Sequence, residues 1–244
     1  MVVGVYCEEK RKGISFEECM VCSKCLPTQI IKSLRVYENK PKRNVYYVRE
    51  VIACLRKAYF DRKCPKDEFS SLRDLYCRKR GELFGAIAGH GWNELDGSLS
   101  YVVDSEPVKL TARLDSYDPE KQEIVELKSL RDIENKELPR EKDVLQVQCY
   151  GTIFKNIFRV ERLRIVYLDM NGFRQVNVSL VDKTKWLKER VEKLHRHIRD
   201  SKPPAEDPTW ECKFCPHRSN CVQLKPTLPV MRQTAYRNFG GKPR

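Results

Sequence analysis

This 244-residue sequence has no run approaching the ~20 consecutive apolar residues that a bilayer-spanning helix needs, so a helical membrane protein is excluded. The opening MVVGVYCEEKRKG puts charges where a secretory signal needs its apolar core. The expected compartment is therefore the cytoplasm. No repeat of solenoid length and no long low-complexity tract occurs, which sets aside repeat proteins and tail-like chains. Acidic residues are the scarce charge: 34 Asp+Glu stand against 47 Lys+Arg, a net charge of +13. Such an excess points to a polyanionic partner, most often nucleic acid, with a Lys/Glu-rich thermophile surface as the alternative. Hydrophobic residues at 41% and charged residues at 33% fit a folded chain of one large domain, or one domain plus a small module.

Cysteine is abundant, with eleven residues. In a reducing compartment disulfides are the poorer explanation. Buried thiols used as small hydrophobes would be scattered. Here Cys19, Cys22 and Cys25 follow one another at C-x2-C-x2-C with Cys7 upstream, and Cys212, Cys215 and Cys221 lie near the end. Two tight clusters in loop-like sequence point to metal or iron–sulfur ligation.

The pattern along the chain predicts an α/β fold. Residues 1–45 are polar and Cys-bearing. Residues 48–95 read as helical, and SYVV, VKLTARLDSY and QEIVELKSL as strands, the last two joined by an Asp118-Pro119-Glu120-Lys121 turn. Residues 143–158 read as a helix with Leu145, Cys149 and Ile153 on one face. Two strands follow, joined at Asn171-Gly172, and then a basic amphipathic helix over 184–199. Ser201-Lys202-Pro203-Pro204 reads as a linker. A mixed sheet flanked by helices is expected. The expected division is a Cys-rich segment at 1–45, a core at 46–200 and a terminal Cys segment with a basic tail at 201–244.

The chemistry concentrates between Leu110 and Leu130. Asp115 lies near the end of one strand, and Glu126-Leu127-Lys128 in the next. Residues i and i+2 of a strand share a face, so Glu126 and Lys128 project together. Leu127 turns toward the core and leaves its carbonyl as a further oxygen ligand. Hairpin pairing would bring Asp115 to Glu126, and two close carboxylates repel unless a cation lies between them. Oxygen ligands of this kind suit Mg²⁺ or Mn²⁺, which can polarise a phosphodiester and acidify a water. Lys128 could stabilise developing charge. A pair of solvated charges on an edge strand is the structural alternative. His90, in FGAIAGHGWNEL, is a further candidate ligand for Mn²⁺. Gln146 and Tyr150 share a helix face at i, i+4, where they could contact a phosphate and a base.

His90, Asp115, Glu126-x-Lys128 and Gln146-x3-Tyr150, in this order, resemble the RecB-type branch of the PD-(D/E)xK nucleases. With Cys54 and the terminal Cys212, Cys215 and Cys221, the set is similar to the iron–sulfur RecB-like exonucleases associated with CRISPR. One departure is Ala112, where the family often has Gly. The resemblance implies a restriction-endonuclease-like core in which His90, Asp115 and Glu126 bind Mn²⁺ or Mg²⁺ and Lys128 is catalytic, with Gln146 and Tyr150 supporting it. It implies an iron–sulfur cluster on Cys54, Cys212, Cys215 and Cys221, [4Fe–4S] in preference to [2Fe–2S], with Zn²⁺ as the rival occupant. Lys and Arg at 56, 57, 62 and 63 would offset the cluster's charge. The implied activity is exonucleolytic cleavage of DNA, single-stranded or with single-stranded ends, during CRISPR spacer maturation beside the CRISPR integrase. A recombination, repair or viral nuclease, or a non-catalytic DNA-end adaptor of the same fold, is the alternative.

Cys7, Cys19, Cys22 and Cys25 fall outside that core, and a second metal, Zn²⁺ or a cluster, is expected there. Cys64, Cys77 and Cys149 are left as core or free thiols. Residues 40–63 hold eight Lys/Arg and two Asp/Glu, and residues 222–244 five Lys/Arg and no acid. Such patches would neutralise phosphates without reading sequence. Tyr46, Tyr47, Tyr59 and Phe60 interleave with the first patch and either stack bases or, as the better expectation, belong to the core.

Overall fold

The computed structural model describes residues 2–35, 41–64, 68–88 and 95–221. Residues up to Pro204 form one compact unit, and those from Ala205 onward a second.

The chain begins with an antiparallel pair, β1 (Val2–Cys7) and β2 (Lys12–Ser15), followed by α1 (Phe16–Cys22) and α2 (Thr28–Ser33). A capping box sets the start of α1: Ser15 Oγ accepts from Glu18 N at 3.0 Å, and Ser15 N donates to Glu18 Oε2 at 2.8 Å. Ser23 ends the helix in the left-handed region, its N–H bonded to the Cys19 carbonyl. These elements bury Val5, Ile14, Phe16, Cys19, Ile31 and Leu34 together with Leu75. Strand β4 (Glu68–Ser70) pairs in parallel with β1, so the sheet order is β2-β1-β4. A Cβ at Gly4 would collide with the Ile14 carbonyl oxygen and one at Gly13 with the Phe69 ring, which is why neither position carries a side chain.

Between these elements lie β3 (Val45–Tyr47), α3 (Val48–Val51) and α4 (Leu55–Lys63). The helix expected through 48–63 is broken at residues 52–54, and Cys54 stands at the cap of α4 rather than inside a helix. Arg190 donates to the carbonyls of Val51 and Ala53 at 2.8 and 2.5 Å, which stabilises the break. Arg62 donates twice to Glu50 and once to the Val45 carbonyl, and its guanidinium lies 4.4 Å from the centre of the Tyr46 ring. Tyr46 is 1% exposed and its hydroxyl meets His195 Nδ1 at 3.0 Å. Tyr46 and Tyr59 are therefore core residues, and part of the first basic run is built into the fold.

After α5 (Leu72–Ala88), β5 (Leu95–Val103) and β6 (Glu106–Leu114) form a hairpin whose turn residues, Asp104 and Ser105, both have positive φ. Arg196 and Arg199 hold Asp104. With β3 these strands make the order β3-β6-β5. A second sheet, β10-β9-β8-β7, is built from β7 (Ser116–Asp118), β8 (Glu123–Ser129), β9 (Arg162–Leu168) and β10 (Phe173–Val178). Strands β7 and β8 are antiparallel, and β8 and β9 parallel, so the sheet is mixed. Asp118 Oδ1 accepts from the amides of Glu120 and Lys121 in the expected turn. Helices α6 (Glu141–Phe154) and α7 (Thr184–Arg199) cover the core. Val147, Cys149, Ile153 and Phe154 on α6, and Leu187, Val191 and Leu194 on α7, are sealed from solvent. Each such residue contributes about 1.5–3 kcal/mol of burial free energy. Cys149 is a core thiol, whereas Cys64 and Cys77 are exposed. Among the described residues no helix is long and apolar enough to cross a membrane.

Candidate active site

Strand β6 ends at Leu114 and β7 starts at Ser116, so Asp115 is the single residue at which the chain passes from one sheet to the other. Ser116 lies opposite Val125, and extending that register by one residue sets Asp115 opposite Glu126. Asp115 Oδ2 accepts from the Leu127 amide at 2.8 Å. The expected meeting of Asp115 with the Glu126-Leu127-Lys128 strand is therefore present. Leu127 is half-buried rather than sealed in the core.

Glu126 and Lys128 share a face of β8, as period-2 alternation demands. Lys128 Nζ donates to Glu126 Oε1 at 2.6 Å and to Gln146 Oε1 at 2.8 Å. Gln146 Nε2 donates to Glu126 Oε1 and to the Tyr150 hydroxyl, both at 2.8 Å. Tyr150 is 7% exposed. Gln146 and Tyr150 thus brace Lys128 and Glu126, and the buried Tyr150 ring is not placed to meet a base. Burial and the nearby Glu126 carboxyl also push the Tyr150 hydroxyl pKa up, so it stays protonated.

Glu126 is 3% exposed. Burial raises its carboxyl to about 8, against the opposing pull of Lys128 and with added repulsion from Asp115. Its Oε2 is buried and accepts no hydrogen bond. An unsatisfied carboxylate oxygen facing a second carboxylate is a donor set that fits a hard divalent cation. Among the described residues no three His, Cys, Asp or Glu side chains are gathered as a ready metal site. His90, the expected third ligand, lies outside the described residues, as does the basic tail from Val222. Arg49 is a cation that sequence reasoning did not single out. It is exposed on α3, near enough to Tyr150 for its charge to be felt there. Its only sequence signal is membership of the 40–63 basic run.

The family model of the PD-(D/E)XK nuclease superfamily matches residues 33–222. The chain belongs to the PD-(D/E)XK nuclease superfamily. Nucleases of this superfamily generally use Mg²⁺ or Mn²⁺, in keeping with the unsatisfied Glu126 oxygen. The crystal structure of SSO0001 is similar in fold, with a TM-score of 0.56 and 18% identity over 79% of this chain and 94% of that one. A phage related exonuclease from Haemophilus somnus 129PT aligns at a TM-score of 0.41 and 13% identity, over 60% of this chain and 80% of that one, too distant to carry an argument. No curated protein sequence matches the chain.

The cysteines fall into two sets. Burial raises the Cys19 thiol pKa, with the Cys25, Cys22 and Cys7 thiols pushing it the same way, and Cys7 packs against the core that holds Cys19. In the unit that begins at Ala205, Cys212 lies in the short 3-10 turn Trp210–Phe214, Cys215 directly follows it, and Cys221 directly follows a second turn, Arg218–Asn220. Cys212 Sγ accepts from the Thr209 amide at 3.2 Å, and the Cys215 amide bonds the Cys212 carbonyl at 3.2 Å. Near Cys54, Arg62 is paired with Glu50 and Lys57 with Asp61, so the charge expected to offset a cluster there is partly neutralised.

Proposed function

We infer that this nuclease is a divalent-metal-dependent deoxyribonuclease acting on DNA ends. The observation that carries the reading is Glu126: buried, opposite Asp115, with one oxygen held by Lys128 and Gln146 and the other unsatisfied. Asp115, Glu126, the Leu127 carbonyl and His90 are the residues to hold Mn²⁺ or Mg²⁺. When bound, the ion supplies Lewis-acid polarisation of the scissile phosphate and a lowered pKa for the attacking water. The chain's own residues do the rest. Lys128 Nζ presents a positive charge at the mouth of the site, where it meets the charge that develops on the phosphate. Gln146 fixes the lysine's direction, and Tyr150 fixes Gln146. Arg49 supplies a phosphate contact beside them. Burial of the ring of hydrogen bonds keeps its members from reorganising at the moment of reaction.

The finer reading is an exonuclease with single-stranded ends as substrate, carrying a [4Fe–4S] cluster on Cys54, Cys212, Cys215 and Cys221. Its setting would be the cytoplasm, where it trims DNA ends for CRISPR spacer acquisition beside the integrase. Support comes from the motif resemblance and from two local arrangements. Arg190 holds the junction that presents Cys54, and the Thr209 amide already donates to Cys212 Sγ, a bond that suits a thiolate. The deciding experiment incubates end-labelled linear single-stranded DNA and a circular single strand with the chain and Mn²⁺. Loss of the linear strand alone, absent in the Glu126→Ala variant, supports the reading. Equal cleavage of the circle removes the exonuclease part, and full activity of the variant removes the site.

A further inference from the structure

The nuclease site leaves one cluster of ligand-type side chains unused, at the other end of the sequence. Cys7 is the last residue of β1. Cys19 and Cys22 stand one helical turn apart on α1, and Cys25 follows two residues after the left-handed cap at Ser23. That cap turns the chain back on itself, and Thr28 Oγ1 bonds the Met20 carbonyl at 2.9 Å, which folds the loop carrying Cys25 against α1. Cys19 lies in the N-terminal core, and Cys7 packs against the same core. All four thiols are free.

We propose that Cys7, Cys19, Cys22 and Cys25 form a tetrathiolate zinc site that holds β1, α1 and the following loop together. Three features support it. The four thiols come from a strand end, a helical pair and a following loop rather than from one element, and four thiolates are a complete ligand set for structural Zn²⁺. Four thiolates around Zn²⁺ carry a surplus negative charge. Lys24 is held by Glu9 at 3.1 Å and stabilised to a lesser degree by Cys22 and Cys25, and Lys12 is paired with Cys7 across the β1–β2 ladder. The apolar cluster here is small, with seven buried residues among those described, so a bound metal has stability to add. The thiols stand short of a closed shell among the described residues, and the exposed Cys25 is the member that must move inward.

The site has a structural consequence. β1 pairs with β4, and Leu75 of α5 completes the N-terminal core. A metal that fixes β1 and α1 therefore braces α5, which in sequence leads toward His90. The proposal stands apart from the nuclease reading, since it needs neither Asp115 nor Glu126.

The test measures zinc and iron in the full-length chain purified without chelator, beside Cys22→Ser, Cys25→Ser and a Cys212→Ser/Cys215→Ser double variant. One zinc per chain should be lost in the first two and kept in the third. Cys25 is exposed, so Cys25→Ser removes a ligand without opening a cavity in the N-terminal core, whatever Cys22→Ser does. As a second readout, Co²⁺ is added to the metal-stripped, reduced full-length chain. A thiolate-to-cobalt charge-transfer band should saturate at one equivalent for the quartet, survive in the Cys212→Ser/Cys215→Ser variant and vanish in Cys25→Ser. Zinc content unchanged in Cys25→Ser, iron in place of zinc on these four residues, or a cobalt band indifferent to Cys25 would each overturn the proposal.

Discussion

The two ligand-bearing regions of this nuclease are built in opposite ways. Around Asp115 and Glu126 the protein supplies the order. Strand pairing aligns the carboxylates, α6 adds Gln146 and Tyr150, and the large core behind α6 and β8 holds all of them in place. Around Cys7, Cys19, Cys22 and Cys25 the protein supplies ligands but little else, with seven buried residues behind them. The first region can hold a desolvated carboxylate because a large apolar core stands behind it. On the zinc proposal, the second draws on an occupant to complete its framework. A catalytic metal site and a structural one differ in this respect: one stores cost at the site, and the other draws stability from it.

The comparison breaks most decisively at the carboxylates. Asp115→Ala and Glu126→Ala should each lower Mn²⁺-dependent cleavage by about 10³-fold or more, with the circular dichroism spectrum unchanged. Cleavage within tenfold of wild type would place the metal elsewhere. Lys128→Ala should cost about 10²–10³-fold in single-turnover rate, because a preorganised charge is lost from a water-poor site.

Leu75→Ala tests the other region. Truncating this fully buried side chain should destabilise the N-terminal core by about 2–4 kcal/mol. Faster amide exchange in residues 2–35, with that over α6 unchanged, is the expected pattern. Uniform loss of protection would mean that the two regions unfold as one.

Glu126→Gln sharpens the cost stored at the active site. In the folded chain burial raises this carboxyl from 4.5 to about 8, so the folded state keeps a proton that the unfolded state has released at neutral pH. Stability therefore falls as pH rises from about 4.5 toward 8, and the glutamine variant is free of that loss. With divalent ions chelated, its melting temperature should exceed wild type at pH 8, by up to a few kcal/mol of stability, and match it at pH 4. A variant less stable than wild type at pH 8 would show that the Lys128 bond outweighs burial. The smallest effect belongs to Tyr150→Phe. It removes a hydroxyl that only accepts from Gln146 within the site, and should slow cleavage by about two- to tenfold.

Much of the site was legible in the sequence. The Asp115, Glu126-x-Lys128 and Gln146-x3-Tyr150 spacings follow from period-2 and i, i+4 geometry, both local rules, and the structure brings these residues together. The helix at 184–199, the Asp118 turn and the hairpin at Asn171-Gly172 follow from equally local signals. Less visible was anything set by partners distant in sequence. The break at Cys54 is held by Arg190, more than a hundred residues away. Tyr46 lies in the core because His195 and Arg62 close over it, though its neighbours in sequence are basic. Arg49 comes within electrostatic reach of Tyr150 through the packing of α3 against α6.

By itself the sequence determined which residues are the candidates for the chemistry and most of the elements they ride on, because periodicity, turn residues and caps act over a few positions. Only the tertiary structure decided what those residues experience. Sheet pairing set Asp115 opposite Glu126, the core stripped water from Glu126 and raised its pKa, and folding of β1 against α1 brought Cys7 and Cys19 to one small core. Burial and electrostatic environment are sums over neighbours distant along the chain, and no local pattern contains them.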